Sequence, residues 1–324
     1  MAIRLTHTRA SKATRDAYGE ALVEVARGNP RVVALTGDLR DSNRLEAFAA
    51  AYPDRFFECG IAEQNMAGIA AGLATCGKIP FVSSFAAFSP GRCYDQIRVL
   101  IAQPRLNVKL VSTHGGITVG EDGMSAQAVE ELAMMRELAH MTVIVPADAT
   151  ETAQAVHAVA AYDGPVYMRL GRPPVPVLFD ETYRFTIGTA PVLREGADVT
   201  LAACGIMVAE ALAAAEILAE AGIDARVLNC ATLKPLDESA IVDAARQTGA
   251  IVTAEEHSIL GGLGGAVCEV VAARHPVPVE RVGLQDCFGE SGSPAALMEK
   301  YGLTAAEIVA AARRAIARKS RAGG

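Results

Sequence analysis

FFECGIAEQNMAGIAAGLATCG, residues 56–77, running into IPFVSS at 79–84, decides how this chain is read. Ala62, Ala67, Gly68, Ala70, Ala71, Gly72 and Ala74 leave the first segment no polar face to turn toward water, so it predicts a helix packed against on every side. The run that follows predicts a short strand. The same alternation continues outward in both directions. RVVAL (31–35), NVKLVST (107–113), MTVIVPA (141–147) and GPVYMRL (164–170) read as strands, with helical stretches such as TRDAYGEALVEVARG, YDQIRVLIAQ and TETAQAVHAVAAY between them. That pattern predicts an α/β protein whose mostly parallel sheet is covered on both faces and carries its sites at the carboxyl ends of the strands.

A proline-rich stretch at 173–197 breaks the rhythm, which then restarts with DVTLAACG, the Ala-rich MVAEALAAAEILAEAG, DARVLNC and AIVTAEE. We therefore expect two consecutive domains, each a mostly parallel sheet flanked by helices: residues 1–180, a linker over 181–197, and 198–324. GGLGG at 261–265 lacks the lysine of a phosphate loop and reads as a tight turn into the helix AVCEVVAAR, which makes the second domain mainly architectural.

With 51% hydrophobic and 21% charged residues, the 324-residue chain has ample material for filled cores and does not read as disordered. Its net charge of -7, without long runs of one sign, gives no footprint for nucleic acid or a membrane surface. The 7 cysteines include no C-x-x-C pair and the 6 histidines are dispersed, so reduced core thiols and no transition-metal site are expected. MAIRLTHTRASKATR has no apolar core of a signal peptide and no apolar run approaches bilayer length, which makes a cytoplasmic location the expectation.

Glu63 sits in the first turn of the small-residue helix, where a lone carboxylate ordinarily complements the helix dipole. Here its neighbourhood carries more. GIAEQNM resembles the motif of the pyrimidine-binding domain of the transketolase family, and GDLRDSN (37–43), FVSSFAAFSPGRCYDQIR (81–98), STHGGITVGEDG (112–123), VPADATE (145–151) and YMRLGRP (167–173) resemble transketolase segments in the same order. FGESG at 288–292 is similar to the family's C-terminal domain. Ordered motifs at matching spacing are far more specific than any one of them.

The resemblance implies a role for each of nine residues. Glu63 meets the aminopyrimidine of thiamine diphosphate as a catalytic group, and Phe85 and Phe88 wall the pyrimidine pocket, with Phe81 read as core. Arg15, Ser42, His114 and Arg172 hold the phosphate of a sugar phosphate. Asp38 and Asp122 meet the thiamine pocket or sugar hydroxyls, and His114 also serves catalysis. The residue types suit this, since guanidinium forks, a hydroxyl and an imidazole can cage a tetrahedral anion and carboxylates accept from vicinal hydroxyls. Ala126 stands where many relatives carry His or Gln near the acceptor, with Gln127 one position away to compensate. The acid group is left open between a phosphate and a sulfonate.

In this family Mg²⁺ anchors the cofactor diphosphate through an Asp in GDG and a later Asn, hard oxygen ligands suited to that ion. This chain has no GDG, and Asp38 and Asn43 in GDLRDSN stand at another spacing. The resemblance therefore implies the second half of a split transketolase, moving a two-carbon ketol unit from a ketose phosphate to an aldose. Thiamine diphosphate and Mg²⁺ are its cofactors, with no metal ligand in this chain. Its partner is an N-terminal subunit carrying the diphosphate-binding domain, the two forming a heterotetramer. The alternatives are the β subunit of a 2-oxo acid dehydrogenase E1 component and a non-catalytic scaffold subunit. The anion cage and GEDG favour the transketolase over the first, and retention of Glu63 weighs against the second.

Overall fold

The computed structural model describes residues 5, 6 and 10–322, with side chains through residue 319. Among these residues the strands are β1 (Ser11–Ala13), β2 (Val32–Thr36), β3 (Phe56–Glu58), β4 (Ile79–Phe85), β5 (Lys109–Thr113), β6 (Thr142–Ile144), β7 (Val166–Arg169), β8 (Pro174–Pro176), β9 (Val192–Arg194), β10 (Val199–Ala203), β11 (Ala225–Asn229), β12 (Thr232–Lys234), β13 (Ile251–Ser258) and β14 (Val279–Leu284). They form a seven-stranded sheet in the order β12-β6-β7-β5-β4-β2-β3, a five-stranded sheet in the order β14-β13-β10-β11-β9, and a ribbon of β1 with β8.

Both large sheets are parallel except at one edge each, where β12 runs antiparallel to β6 and β9 antiparallel to β11. The central strands β2, β4, β5 and β7 are buried along their whole length, as near-continuous apolar runs in a covered parallel sheet should be. Phe81 lies fully enclosed in the core beneath the first sheet. The α/β architecture expected from the alternation is present in both halves.

Several features differ from the sequence reading. The helix Glu63–Thr75 is enclosed on one side only: Met66, Ala67, Ala70 and Ala71 are buried, while Gln64, Asn65, Gly72 and Thr75 are exposed. A Cβ added at Gly68 or Gly72 would meet nothing within 4 Å, so the small residues on that side have no packing partner within the described residues. YDQIRVLIAQ is a single helical turn, Tyr94–Gln96, that widens into a π-helical segment over Ile97–Ala102. Residues 181–197 contain β9, an edge strand of the second sheet, and β12 from the second half completes the first sheet. GGLGG does form a turn: Gly261 has φ +77°, and the Glu255 carboxylate accepts from the N–H groups of Leu263 and Gly264 at the start of the helix Leu263–Arg274.

The two sheets are joined by a buried ionic clamp. Arg169, at the end of β7, lies 3.0 Å from Glu131 and donates to the Glu256 carbonyl at 2.7 Å, while the Glu256 carboxylate accepts from the Thr118 N–H at 2.8 Å. All three ionisable side chains are almost fully enclosed. The clamp also dictates the glycines after His114. A Cβ on Gly115 would stand 2.1 Å from Arg169 Nε, and one on Gly116 would stand 2.1 Å from Glu256 Cδ.

Arg169→Met is expected to cost about 3–5 kcal/mol, because it strands two buried carboxylates without their counter-charge. The loss should be larger at pH 8 than at pH 5. Burial already pushes Glu131 up to about 7 against the opposing pull of Arg169, and a carboxyl whose folded pKa is raised withdraws stability as pH rises through that range. Thermal unfolding midpoints at the two pH values check this, and an equal loss at both would contradict it.

Candidate active site

The site residues follow the carboxyl ends of neighbouring strands. Asp38 and Ser42 come after β2, Glu63 after β3, Phe88 after β4, His114 and Asp122 after β5, and Arg172 after β7, while Arg15 opens the helix Thr14–Gly28 just beyond β1. This is where an α/β sheet exposes the unpaired ends of its strands and the starts of its helices.

From Glu63 to Arg15 the side chains form one connected run, which ends on the backbone carbonyl of Ser42. Glu63, only 5% exposed, begins its helix without capping it, and its Oε1 accepts from Arg92 Nη1 at 2.8 Å. The Arg92 guanidinium lies over the Phe88 ring at 4.0 Å from its centre. Phe88 stacks with Phe85 at 5.4 Å and 21°, and Phe85 stacks with His114 at 3.7 Å and 22°. Arg15 Nη1 then bridges His114 Nε2, at 3.4 Å, and the carbonyl of Ser42, at 3.1 Å.

Two features of this run point to an anion. Arg15 Nε is buried and has no hydrogen-bond partner, a donor aimed where the chain supplies no acceptor. Cations crowd the same place: burial, followed by Arg15, Arg172 and Arg44, pushes His114 down to about 3, and burial together with Arg44 and Arg172 lowers Arg15 itself. His114 also sits at φ +59°, in the left-handed region that costs a residue with a side chain strain, and it is held there by the glycine pair packed on the clamp.

The remaining expected residues lie at the rim. Arg172 donates to the Val119 carbonyl and to Glu121 at 3.2 Å, with Asp122 3.9 Å away, so the GEDG segment already engages it. Asp38 is exposed at φ +61°, and its N–H donates to Glu58 at 2.6 Å. Gln127 is a correction. It is buried and donates to the carbonyls of Ile117 and Glu290, so it ties the GEDG segment to the FGESG loop and presents no amide to a substrate. Arg92 and Thr113 were not singled out from sequence, and Asn43 was weighed only as a metal ligand, because their contacts here are with partners far along the chain. Among the described residues no group of three or more His, Cys, Asp or Glu could hold a metal ion, and no helix is long and apolar enough to cross a membrane.

The family model of the transketolase pyrimidine-binding domain matches residues 10–177, and that of the transketolase C-terminal domain matches 188–308. The chain belongs to the transketolase family. Among its transketolase relatives, a 6-deoxy-6-sulfo-D-fructose transketolase subunit, SqwH, of a Clostridium species is 48% identical over 94% of this chain and 95% of its own length. A putative transketolase C-terminal section of Methanocaldococcus jannaschii is 46% identical over 92% of this chain and 94% of its own length. Human transketolase is 41% identical over 93% of this chain but only 48% of its own length, so the chain matches about half of that enzyme. A solved structure described as a split gene transketolase, inactive beta4 tetramer, superposes with a TM-score of 0.90 at 54% identity, covering 95% of this chain and 99% of that one.

Proposed function

We propose that this chain is the pyrimidine-binding subunit of a split transketolase. With an N-terminal subunit carrying the diphosphate-binding domain, it transfers a two-carbon ketol unit from a ketose phosphate to an aldose. The observation that carries the reading is the connected run from Glu63 to Ser42, which joins a buried carboxylate, two stacked phenyl rings and a guanidinium whose Nε–H has no partner.

Those residues fit thiamine diphosphate. When bound, the cofactor supplies the carbon nucleophile that lets a C–C bond beside a carbonyl break and re-form. Glu63 would share a proton with a ring nitrogen of the pyrimidine, exchanging its bond to Arg92 for that contact, while Phe85 and Phe88 would wall the ring and exclude water. Asp38 completes the thiamine side in this reading. Arg15, Ser42, His114 and Arg172 hold the substrate's acid group, and Asp122 accepts from its hydroxyls. Mg²⁺ falls to the partner subunit, as the absence of a GDG motif supports, and the assembly is a heterotetramer acting in the cytoplasm. The name of the Clostridium relative keeps a sulfonated sugar within the substrate class.

Arg172→Ala in the assembled enzyme tests the substrate side. It is expected to weaken an anionic substrate by about 1.5–3 kcal/mol, roughly 10- to 100-fold, the range for a hydrogen bond to a charged group. Thiamine diphosphate affinity should hardly move. Comparing kcat/KM for a phosphorylated ketose and its unphosphorylated counterpart decides the matter, since an equal loss on both would rule out anion binding by Arg172.

A further inference from the structure

Behind His114 lies a buried hydrogen-bond relay whose polarity is fixed at its far end. The Thr36 hydroxyl donates to the Ser83 carbonyl at 3.1 Å, which can only accept, so Thr36 Oγ1 is left to accept from Asn43 Nδ2 at 3.2 Å. This orients the Asn43 amide. Its Oδ1 faces Thr113, whose hydroxyl donates to it at 2.7 Å and so commits its single proton. The 2.8 Å contact between Thr113 Oγ1 and His114 Nδ1 is then made with Nδ1 donating. A neutral imidazole carries one N–H, which leaves Nε2 as a lone pair facing Arg15 Nη1 at 3.4 Å.

We propose that Asn43 and Thr113 are positioning residues that hold His114 as its Nδ1–H tautomer, so that Nε2 accepts a hydrogen bond from the ligand and the cage takes an acid group together with one proton. The relay stands on geometry alone, while its use in recognition rests on the anion-cage reading above. The groups facing His114 are the guanidinium groups of Arg15, Arg44 and Arg172 and the Phe85 ring, and no carboxylate is among those that act on it. Three cations beside a buried ring oppose its protonation in the absence of an anion, in keeping with its lowered pKa of about 3.

The consequence is discrimination between acid groups of one shape. A phosphate monoester carries a proton of its own as the monoanion, which it loses with a pKa near ~6. Its P–O–H donates to Nε2 in place of the Arg15 Nη1–H, which turns with Arg172 to the other oxygens. A sulfonate offers the same tetrahedron but no proton. It either leaves the Arg15 Nη1–H on Nε2 and takes one donor fewer from the cage, or draws a proton from solvent onto His114 against three neighbouring positive charges.

Nitrogen-15 NMR of histidine-labelled full-length chain reads the tautomer directly, with the His114 signals assigned by their loss in His114→Asn. The wild type should show a protonated Nδ1 and a bare Nε2. Thr113→Val should shift the population toward Nε2–H, and Thr113→Ser should restore the wild-type pattern. A protonated Nε2 in the wild type overturns the relay and leaves the anion cage standing. The same signals are then followed during titration with methyl phosphate, a phosphate monoester with a single titrating proton near neutrality, and with methanesulfonate. Methyl phosphate affinity should fall about tenfold per pH unit above the range in which the monoester loses that proton, and methanesulfonate should bind at least about tenfold more weakly than methyl phosphate at pH 5. Methyl phosphate binding that ignores pH, or methanesulfonate bound as tightly as methyl phosphate, overturns the proton-coupled recognition. A bare Nε2 that responds to neither ion upholds the relay and overturns the anion cage itself.

Discussion

Glu63→Gln in the assembled enzyme is expected to lower ketol transfer by about 10²- to 10⁴-fold, the usual worth of a positioned acid–base group. The substitution is a narrow one. An amide keeps the shape of the side chain, and its carbonyl can still accept from Arg92, so the 2.8 Å contact has a substitute. The start of the helix Glu63–Thr75 is not at stake either, because Glu63 caps no backbone N–H there. What is lost is a group able to share a proton with the cofactor ring. Turnover should therefore collapse while circular dichroism, the thermal midpoint and assembly stay near those of the wild type, and exchange of the cofactor's C2 proton should slow in step. Near-normal exchange in the variant would leave Glu63 with no more than the dipole-complementing role of an acidic residue in a first helical turn.

How far the sequence disclosed this site depends on whether the information is local. Strands β2, β4, β5, β6, β7, β10, β11 and β13 were legible from sequence, and all of them are interior strands of their sheets. β3, β9, β12 and β14 were not; each is an edge strand, and an edge strand is not bound to the apolar run of a strand covered on both faces. The helix at 63–75 misled in one respect. Small residues permit close packing from any side but do not say whether the neighbour belongs to the same chain, and here Gly68 and Gly72 face open space.

Among the candidate site residues, those embedded in recognisable motifs are legible from sequence, and the structure strings Glu63, Phe88, Phe85, His114, Arg15 and Ser42 together, with Arg92 as the link between Glu63 and Phe88. Arg92 bonds Glu63 from 29 positions away and Asn43 bonds Thr113 from 70, and no spacing rule reaches across such intervals. Gln127 shows the converse failure. Its neighbour in sequence is near the expected acceptor position, yet the amide is drawn inward by the carbonyls of Ile117 and Glu290, groups that only the fold brings within reach.

The second large effect concerns assembly. Large apolar side chains stand exposed beside the site segments: Ile61 next to Glu63's helix, Met124 after GEDG, and Phe288 in the FGESG loop, at 74%, 63% and 72%. The open face of the helix Glu63–Thr75 adds Gly68 and Gly72, around which nothing lies within 4 Å of an added Cβ. Such surfaces suit burial against another subunit, and a site whose diphosphate half is supplied by that subunit should be inert without it. The direct measurement is ketol transfer from a phosphorylated ketose by this chain alone, by an N-terminal transketolase subunit alone, and by the two mixed, each with thiamine diphosphate and Mg²⁺. Activity only in the mixture, saturating at equimolar subunits, is the predicted result, and turnover by the isolated chain at a rate comparable to the mixture would contradict it.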